Sequence, residues 1–361
     1  MDFSHLISED TTMPFTSTQL ARATDYALQA ISASEPIDQI TKDKPFLDYL
    51  ITNKAPVAYA QGVYREKVII ANDSNYQNYF GRDQVTYNSR DPVRLLTATY
   101  ANFHDGFGFD EDELAAVGIV LTDDKESVAT GAEKTILANK LKESHAALRR
   151  GAMEQLDIEA HLNGSQSAKA FAGLDQMIQT DPTAASTVLG FDQSTNLWWR
   201  NNANMGIASN LLAEMEKTWR AASLYGGMPN KIFAGAAAID AYRAAIQAAG
   251  ATQINFTASG KGGVALDGAV SDLHFHGVPI VWDPTFEALD AQLGAITYPW
   301  TKRIYFLNGQ YGPKLRPYSG RWMVQRKPER LPDRYFHYWG VTSAQGMTIN
   351  KRNANAVLSV T

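Results

Sequence analysis

The 361-residue sequence contains no cysteine. This absence excludes disulfide bridges, thiolate metal sites, iron–sulfur clusters and cysteine nucleophiles. Long apolar runs are missing too, since none approaches the ~18–20 residues that a membrane-spanning helix requires. The first fifteen residues are acidic and have no apolar centre. We therefore expect neither a secretory signal nor a membrane partner.

Clustered basic charge is a third absence. The formal net charge is -5, and no run of Lys and Arg exceeds two residues. A protein that binds nucleic acid tightly neutralises phosphates with clustered basic side chains, so we predict no such binding here. The remaining composition, 45% hydrophobic and 20% charged residues, is that of an ordinary globular protein. The chain length favours two or three domains.

The longest predicted element is a helix from Glu126 to Asn163, followed by Gly164 as a C-terminal cap. Apolar or small residues recur one or two helical turns apart, at Leu137, Leu141, Leu148, Ala152, Leu156 and Ala160. The face between them is charged from Lys134 to Asp157, and we expect it to face solvent. At ~1.5 Å per residue the helix would be roughly 50 Å long. We interpret it as a beam that lies along a sheet.

Two projecting elements are predicted before this helix. Residues 1–56 are interpreted as an extended arm with short helices, which could bury little surface alone. Residues 57–100 are predicted to form a long β-hairpin. Its first strand is Val63–Ile70, and its second is Gln84–Tyr87 continued through Leu95–Tyr100. Because a two-stranded hairpin is marginal in isolation, we expect it to need a partner surface.

The rest of the sequence predicts helices and strands without a regular β-α-β alternation. Helices are expected at Asp110–Val117, Ile207–Ser223 and Ala236–Ala249. Strands are expected at Lys231–Gly235, Val278–Trp282, Lys302–Leu307, Leu315–Gln325, Tyr335–Val341 and Ala356–Val360. The late strands predict that the chain returns to the long helix and gives it a sheet to lie on.

Four motifs bear on catalysis or ligand binding. Ser259–Gly263 lacks two parts of a phosphate loop, so we interpret it as an ordinary loop. His274 and His276 would share one face of a strand, but a zinc site needs further ligands. Trp198–Arg200 could stack a sugar or a base, yet a buried pair of Trp rings beside a backbone-bound Arg is the more ordinary arrangement. Asp105–Glu113 lacks the register of a calcium loop. We predict no catalytic residue, cofactor or metal.

Several blocks in the second half resemble the major capsid proteins of tailed bacteriophages. The most specific is Gly190–Asn201, with the sequence Gly-Phe-Asp-Gln-Ser-Thr-Asn-Leu-Trp-Trp-Arg-Asn. Other blocks follow in the order that family uses, at Gly173–Ile178, Phe233–Gly235, Gly277–Asp283, Lys302–Asn308, Leu315–Pro317 and Asn355–Leu358. The resemblance covers Gly173 to the C-terminus, whereas the first half matches in layout more than in letters.

This resemblance implies an α+β protein with the Hong Kong 97-like capsid fold. That fold combines an N-terminal arm, an extended β-hairpin loop, a peripheral domain on a long spine helix, and a mixed α/β axial domain. The implied boundaries are 1–56 for the arm, 57–100 for the hairpin, 101–170 with 313–350 for the peripheral domain, and 171–312 with 351–361 for the axial domain. The resemblance also implies a structural protein and not an enzyme.

The implied function is self-assembly into pentamers and hexamers that form an icosahedral shell around phage double-stranded DNA. Implied partners are other copies of the chain, a portal protein, and scaffolding or decoration proteins where the particle uses them. The DNA would be enclosed without sequence-specific binding. The expected location is the virion, after assembly in the host bacterial cytoplasm. Because the hairpin projects, we predict intersubunit contacts at Arg65, Lys67, Arg82 and Arg90, with no covalent cross-link.

One alternative from another class stays open on the sequence alone. It is a soluble α/β enzyme with its site near Trp198, Arg200, His274 and His276. The sequence offers no assembled catalytic motif in its favour. The two hypotheses also differ in expected mass, because an enzyme would form a small oligomer and a capsid protein a multi-megadalton shell.

Overall fold

The computed structural model describes residues 41–57, 62–110, 112–113, 131–207, 209–248, 273–294, 296–326 and 336–361. Its helices are α1 Pro45–Thr52, α2 Gly131–His161, α3 Leu174–Met177, α4 Leu211–Ser223, α5 Ala236–Ala248 and α6 Thr285–Leu293. The first strands are β1 Val63–Ile69, β2 Val93–Thr99, β3 Ala101–Asp110, β4 Thr187–Val188, β5 Phe191–Asp192, β6 Asn202–Gly206 and β7 Lys231–Ala234. The others are β8 His274–Phe275, β9 Val278–Trp282, β10 Arg303–Leu307, β11 Lys314–Pro317, β12 Val324–Arg326, β13 Phe336–Thr348 and β14 Ala356–Val360.

The chain divides into two compact units. The first includes His104–Ala152 and Met323–Thr342, and the second consists of Lys42–Phe103, Met153–Trp322 and Ser343–Thr361. None of the helices in the described ranges is both long and apolar enough to cross a lipid bilayer.

Aromatic side chains hold the first unit together. Phe107 of β3 stacks on Trp339 of β13 at 5.8 Å between ring centroids, and its edge meets His145 of α2 at 5.1 Å. Lys140 lies on the same helix, with its ammonium 4.6 Å from the centroid of the Phe109 ring. The ammonium therefore makes a cation–π contact, and burial lowers the pKa of Lys140. The sequence pattern predicted that Lys140 faces solvent, but its side chain is half-buried in the structure.

The second unit is built on a six-stranded sheet with the order β6-β14-β10-β7-β9-β8. Strands β10 and β14 are buried along their whole length. Helices α4 and α5 cover this sheet with apolar faces that include Met215, Trp219, Ile239 and Tyr242. The spacing of these residues, three or four apart on each helix, is the pattern of an amphipathic helix packed on a core.

A buried arginine organises the loop region between α3 and β6. Arg352 is 1% exposed. Its guanidinium donates hydrogen bonds to the carbonyl oxygens of Met177 and Trp199, at 2.8 and 2.9 Å. It also donates to Gln193 Oε1 at 3.0 Å and Asn201 Oδ1 at 2.9 Å. The block Gly190–Asn201, which carried the family resemblance, is thus held by the guanidinium of Arg352 from near the C-terminus.

Most predicted elements are confirmed within a few residues. The long helix spans Gly131–His161, while the predicted start at 126–130 lies outside the described residues, as do the side chains of Leu137 and Leu141. The first hairpin strand, the two predicted helices of the α/β region and the final strand are also confirmed. Residues 1–40 of the arm and the loop containing Ser259–Gly263 lie outside the described residues too.

Two predicted elements are wrong, and a third lies mostly outside the described residues. Gln84–Tyr87 is irregular, because the loop is held by side-chain bonds and not by strand pairing. The helix predicted at Asp110–Val117 lies mostly outside the described residues: Asp110 is the last residue of β3, and 112–113 are helical. Leu315–Gln325 is two strands, because the chain between Pro317 and Val324 leaves the ladder in a turn, closed by the Arg321 amide on the Tyr318 carbonyl at 3.0 Å. Gly320 lies in this turn with a φ of 82°, which suits a residue without a Cβ.

One side chain of the long helix is also misplaced by the sequence pattern. Asp157 was predicted on the solvent-facing side, but it is 1% exposed. It accepts a hydrogen bond from the hydroxyl of Thr285 and faces His161. The helical pattern placed Asp157 on the solvent side only because its side chain is charged. The pattern could not show its partner Thr285, because that residue lies 128 residues away in the chain.

Candidate interaction surface

The β1–β2 hairpin presents the largest set of exposed apolar side chains in the described chain. Its strands pair antiparallel from Val63 with Thr99 to Ile69 with Val93. The Ile70 amide then donates to the Pro92 carbonyl at 2.8 Å and closes the ladder. Residues 71–91 form the tip beyond this last bond.

The two faces of the hairpin differ in burial. Leu96 and Ala98 are buried, and they anchor one face in the second unit. On the other face Ile69 is 75% exposed, and its cross-strand neighbours Val93 and Leu95 are 40% and 49% exposed. Arg65 and Lys67 stand on the same side of β1 as Ile69 and are also exposed. We call these five residues the hairpin face. It is an apolar strip with two cations at one end.

The tip carries four more exposed rings, Tyr76, Tyr79, Phe80 and Tyr87, which we call the tip aromatics. Their exposed fractions run from 69% for Tyr79 to 93% for Tyr87. Scattered apolar residues on a protein surface are normal, whereas a contiguous patch marks an interaction site. Tyr and Phe are also the side chains that supply much contact area at protein interfaces.

Polar side chains fix the shape of the tip. Asn75 Nδ2 donates to the Thr86 carbonyl at 2.5 Å, and the Thr86 amide donates to Gln77 Oε1 at 3.1 Å. The Phe80 amide donates to the carboxylate of Asp83 at 2.8 Å, which closes a tight turn. These bonds leave the aromatic rings on the outside. The tip is therefore organised before any partner binds, which lowers the entropy cost of association.

The base of the hairpin is anchored by the block that resembled the capsid family. Leu189 and Gly190 form the two-residue turn between β4 and β5, both with positive φ. The Leu189 carbonyl accepts a hydrogen bond from the Thr97 amide at 3.0 Å. Trp199 supports this turn from below, since its Nε1 donates to the Val188 carbonyl at 2.9 Å.

A second anchor joins β1 to β11. Arg316 lies 3.6 Å from the carboxylate of Glu66, and its guanidinium is 4.9 Å from the centroid of the Tyr64 ring. The Tyr64 hydroxyl donates to Glu66 at 2.6 Å. Burial, together with this hydrogen bond to Glu66, raises the pKa of Tyr64 well above its usual range. The hydroxyl therefore stays protonated and keeps donating at physiological pH.

The four cations predicted as contact residues all lie on the exposed side of this element. Arg65 and Lys67 belong to the hairpin face, and Arg82 and Arg90 lie at the exposed tip. The sequence argument missed the apolar side chains beside them. The tyrosines of the hairpin tip were a signal in the sequence that such a surface exists. The exposure of Ile69 and Leu95 could not be predicted from the sequence, because a strand pattern does not show which face is covered.

The side chains proposed for the alternative enzyme site contact neighbouring parts of the protein. Trp199 is buried, but Trp198 is only half-buried, with its ring centroid 5.2 Å from that of Phe191, so the expected buried pair of Trp rings is only half correct. Arg200 donates to the carbonyl oxygens of Gln193 and Ser194 at 2.8 Å each. His276 does not share a strand face with His274, because it lies in the two-residue turn between β8 and β9 with a φ of 50°. Its ring stacks on Trp219 at 5.0 Å, and its Nε2 lies 2.6 Å from Glu216.

Within the described ranges, no group of three or more His, Asp or Glu side chains is arranged to hold a metal ion. The hairpin, in contrast, combines exposed apolar area, fixed geometry and cations. It is the best candidate for a functional surface.

Comparison with known proteins bears on the fold. No protein-family model and no curated protein matches the sequence. Solved structures match over nearly the whole chain. The capsid asymmetric unit of cyanophage A-1(L) is 14% identical, with a TM-score of 0.58 over 93% of this chain and 99% of that chain.

Two further structures match at similar lengths. The capsid of an empty GTA particle is 11% identical, with a TM-score of 0.53 over 94% of this chain and 98% of that one. A structure of Mycobacterium phage Bobi is 11% identical, with a TM-score of 0.52 over 94% and 99%. The chain therefore has the Hong Kong 97-like capsid fold, which confirms the fold that the sequence resemblance implied.

Proposed function

We propose that this chain is the major capsid protein of a tailed phage or prophage, and that its copies form the pentamers and hexamers of an icosahedral shell. The shell would enclose double-stranded DNA without sequence-specific contacts, which suits a chain with a net charge of -5. The fold supports this proposal, since the similar structures are capsids at nearly full length.

The observation that carries the proposal is the exposed hairpin. A monomeric protein rarely leaves a contiguous apolar patch exposed, and here the patch sits on an element with two separate anchors. Such an element is explained by a partner that covers it. Because a shell is made of many copies of one chain, we propose that the partner is a neighbouring copy, with the hairpin lying across it.

The other parts of the proposal follow the same fold. We propose that the arm, hairpin, peripheral domain and axial domain have the boundaries inferred from the sequence. A portal protein, and scaffolding or decoration proteins where they are used, would complete the particle. The virion would be its location, after assembly in the host cytoplasm. We regard the chain as structural and not enzymatic.

The proposal is tested by the size of the purified protein. Negative-stain electron microscopy and mass photometry should show rings, sheets or closed shells for the wild-type chain. A species that stays monomeric or dimeric at high concentration and with crowding agent would favour the enzyme alternative.

A variant tests the role of the hairpin itself. Tyr76→Ser, Tyr79→Ser, Phe80→Ser and Tyr87→Ser together should abolish large assemblies while the subunit keeps its melting temperature, because exposed side chains contribute little to folding. The matched control is Arg82→Ser with Arg90→Ser, which changes the same tip without removing apolar area. We expect this control to assemble more slowly and with a weaker dependence on salt, because the charges that salt would screen are gone. Normal shells from the fourfold variant would show that the tip aromatics are not an interface.

A further inference from the structure

A buried cluster of ionisable side chains lies at the C-terminal end of α2, in the second unit. Asp157 and His161 come from the last turns of this helix, and Asp283 and Thr285 come from the junction of β9 and α6. All four residues are buried, and His161 and Asp283 are 0% exposed. The proposed function makes no use of this cluster.

Both nitrogens of the His161 ring face acceptors. Nδ1 lies 2.7 Å from the carbonyl oxygen of Asp157, and 3.6 Å from the carboxylate of that residue. Nε2 lies 3.3 Å from Asp283 Oδ2. A neutral imidazole has one N–H, whereas the charged form has two. Only the charged ring therefore has an N–H facing both the Asp157 carbonyl and the Asp283 carboxylate.

The carboxylates are in turn held by the start of α6. The Thr285 hydroxyl donates to Asp157 Oδ2 at 2.5 Å, and the Thr285 amide donates to Asp283 Oδ1 at 3.0 Å. Asp157, Asp283 and His161 thus tie the end of α2 to the β9–α6 junction. His161 Nε2, Asp157 Oδ1 and Asp283 Oδ2 are buried and have no hydrogen-bond partner, so the 3.3 Å contact between Nε2 and Asp283 Oδ2 is an ion pair.

Aromatic rings close the cluster off on three sides. The ring centroids of Phe46, Phe286 and Trp300 lie 4.7, 5.4 and 5.9 Å from that of His161. Phe46 belongs to α1, so the cluster joins three helices. Lys44, just before α1, is the other charged group whose field reaches Asp157. Within apolar walls, two carboxylates without a cation between them are strongly destabilised.

The electrostatic balance favours the charged ring. Burial pushes the pKa of His161 down, but the close contact with Asp283 and the charges of Asp283 and Asp157 outweigh it and raise that pKa to about 9. Its place in the last turn of a helix also favours a cation. Burial raises the pKa of Asp157 as well, so this carboxylate depends on its cationic neighbour to remain ionised.

We propose that His161 is a proton-dependent lock, which in its charged form holds the C-terminal end of α2 against the β9–α6 junction and on losing its proton releases that end. The neutral ring would carry a proton on only one of its two nitrogens and would leave both carboxylates facing each other without a cation. Local opening, which lets water reach the carboxylates, then costs less free energy. The rest of the six-stranded sheet is not part of the lock and stays closed.

Amide hydrogen exchange followed by mass spectrometry tests this proposal on the intact protein. Protection is compared between pH 7 and pH 9 after correction for intrinsic exchange rates, in peptides covering 153–161 and 281–293. If the open state has an ordinary histidine pKa, protection should fall about tenfold per pH unit across this range. A peptide from α5, in the same unit, is the internal control and should lose less than these two. Equal losses in all three peptides would overturn the lock.

Two isosteric variants separate the lock from general alkaline weakening. Asp283→Asn keeps an oxygen for the Thr285 amide but removes the charge beside Nε2. We expect the loss of protection to level off at a lower pH in this variant. Asp240→Asn removes an exposed charge on α5 and should leave the profile unchanged. An Asp283→Asn profile that matches the wild-type profile would also refute the proposal.

Discussion

Replacing Arg352 provides the sharpest test of how this fold is held together. Its guanidinium donates to four acceptors from two separate segments, and no carboxylate is among those four. Arg352→Met keeps the length and apolar character of the stem but removes every donor. Of the acceptors, Asn201 Oδ1 keeps one bond, from the Gln179 amide at 3.2 Å. The other three lose the donor described here.

The expected cost follows from those three acceptors. A buried acceptor left without a donor costs ~1–3 kcal/mol. Removing a buried cation that has no counterion relieves part of its desolvation penalty. We therefore expect Arg352→Met to lower the free energy of unfolding by about 3 kcal/mol, out of the ~5–15 kcal/mol typical of a folded protein. Arg352→Lys should be at least as damaging, because it keeps the buried charge while losing the planar fork.

Urea unfolding of unassembled subunits, followed by tryptophan fluorescence, measures these differences. The control is Arg220→Met on α4, where the side chain is 72% exposed and the change should stay within ~0.5 kcal/mol of wild type. The reasoning is refuted if Arg352→Met is as stable as this control. It is refuted equally if Arg352→Lys is clearly milder than Arg352→Met, since the fork geometry would then be unimportant.

Three further changes have expected outcomes in the same unfolding assay. Gly235→Ala should be strongly destabilising, because its Cβ would lie 2.3 Å from the backbone oxygen of Thr301. Gly151→Ala should instead stabilise by ~0.5–1 kcal/mol, because it lies inside α2 and its Cβ would meet only Asp105 at 3.9 Å. Stability should fall as the pH rises, because the folded-state pKa of His161 is raised from 6.5 to about 9. That contribution is complete below pH 6.5 and lost above pH 9, and at ~1.4 kcal/mol per unit it amounts to at most about 3 kcal/mol. A free energy of unfolding that does not change from pH 6 to pH 10 would contradict the pH prediction. A Gly235→Ala protein as stable as the Gly151→Ala protein would contradict the prediction for Gly235.

The sequence predicted those features that local patterns determine. The i, i+3 and i+4 spacing of apolar residues identified α2, α4 and α5, and runs of Val, Ile and Tyr identified β1, β9 and β10. The family resemblance then supplied the arrangement of these elements. Neither source could place Asp157, because its burial depends on Thr285 and Asp283, more than a hundred residues away.

The same limit explains what was missed at the candidate surface. Strand alternation predicted that β1 and β2 each have two faces, but it could not say which face the rest of the protein covers. Leu96 and Leu95 are chemically identical neighbours, yet one is 2% and the other 49% exposed. The difference arises because the Leu189–Gly190 turn and Arg316 hold the hairpin in one orientation. Those anchors come from distant segments and are invisible to a local pattern.

The composition of the hairpin suggests a division of roles between its side chains. Buried aromatic and aliphatic residues supply most of the binding energy at protein interfaces. Charges at the rim mainly set the rate and register of association and make both depend on salt. On this argument the tip aromatics and Ile69, Val93 and Leu95 would hold neighbouring copies together. Arg65, Lys67, Arg82 and Arg90 would guide the approach, so replacing them would slow assembly more than it would weaken the finished shell.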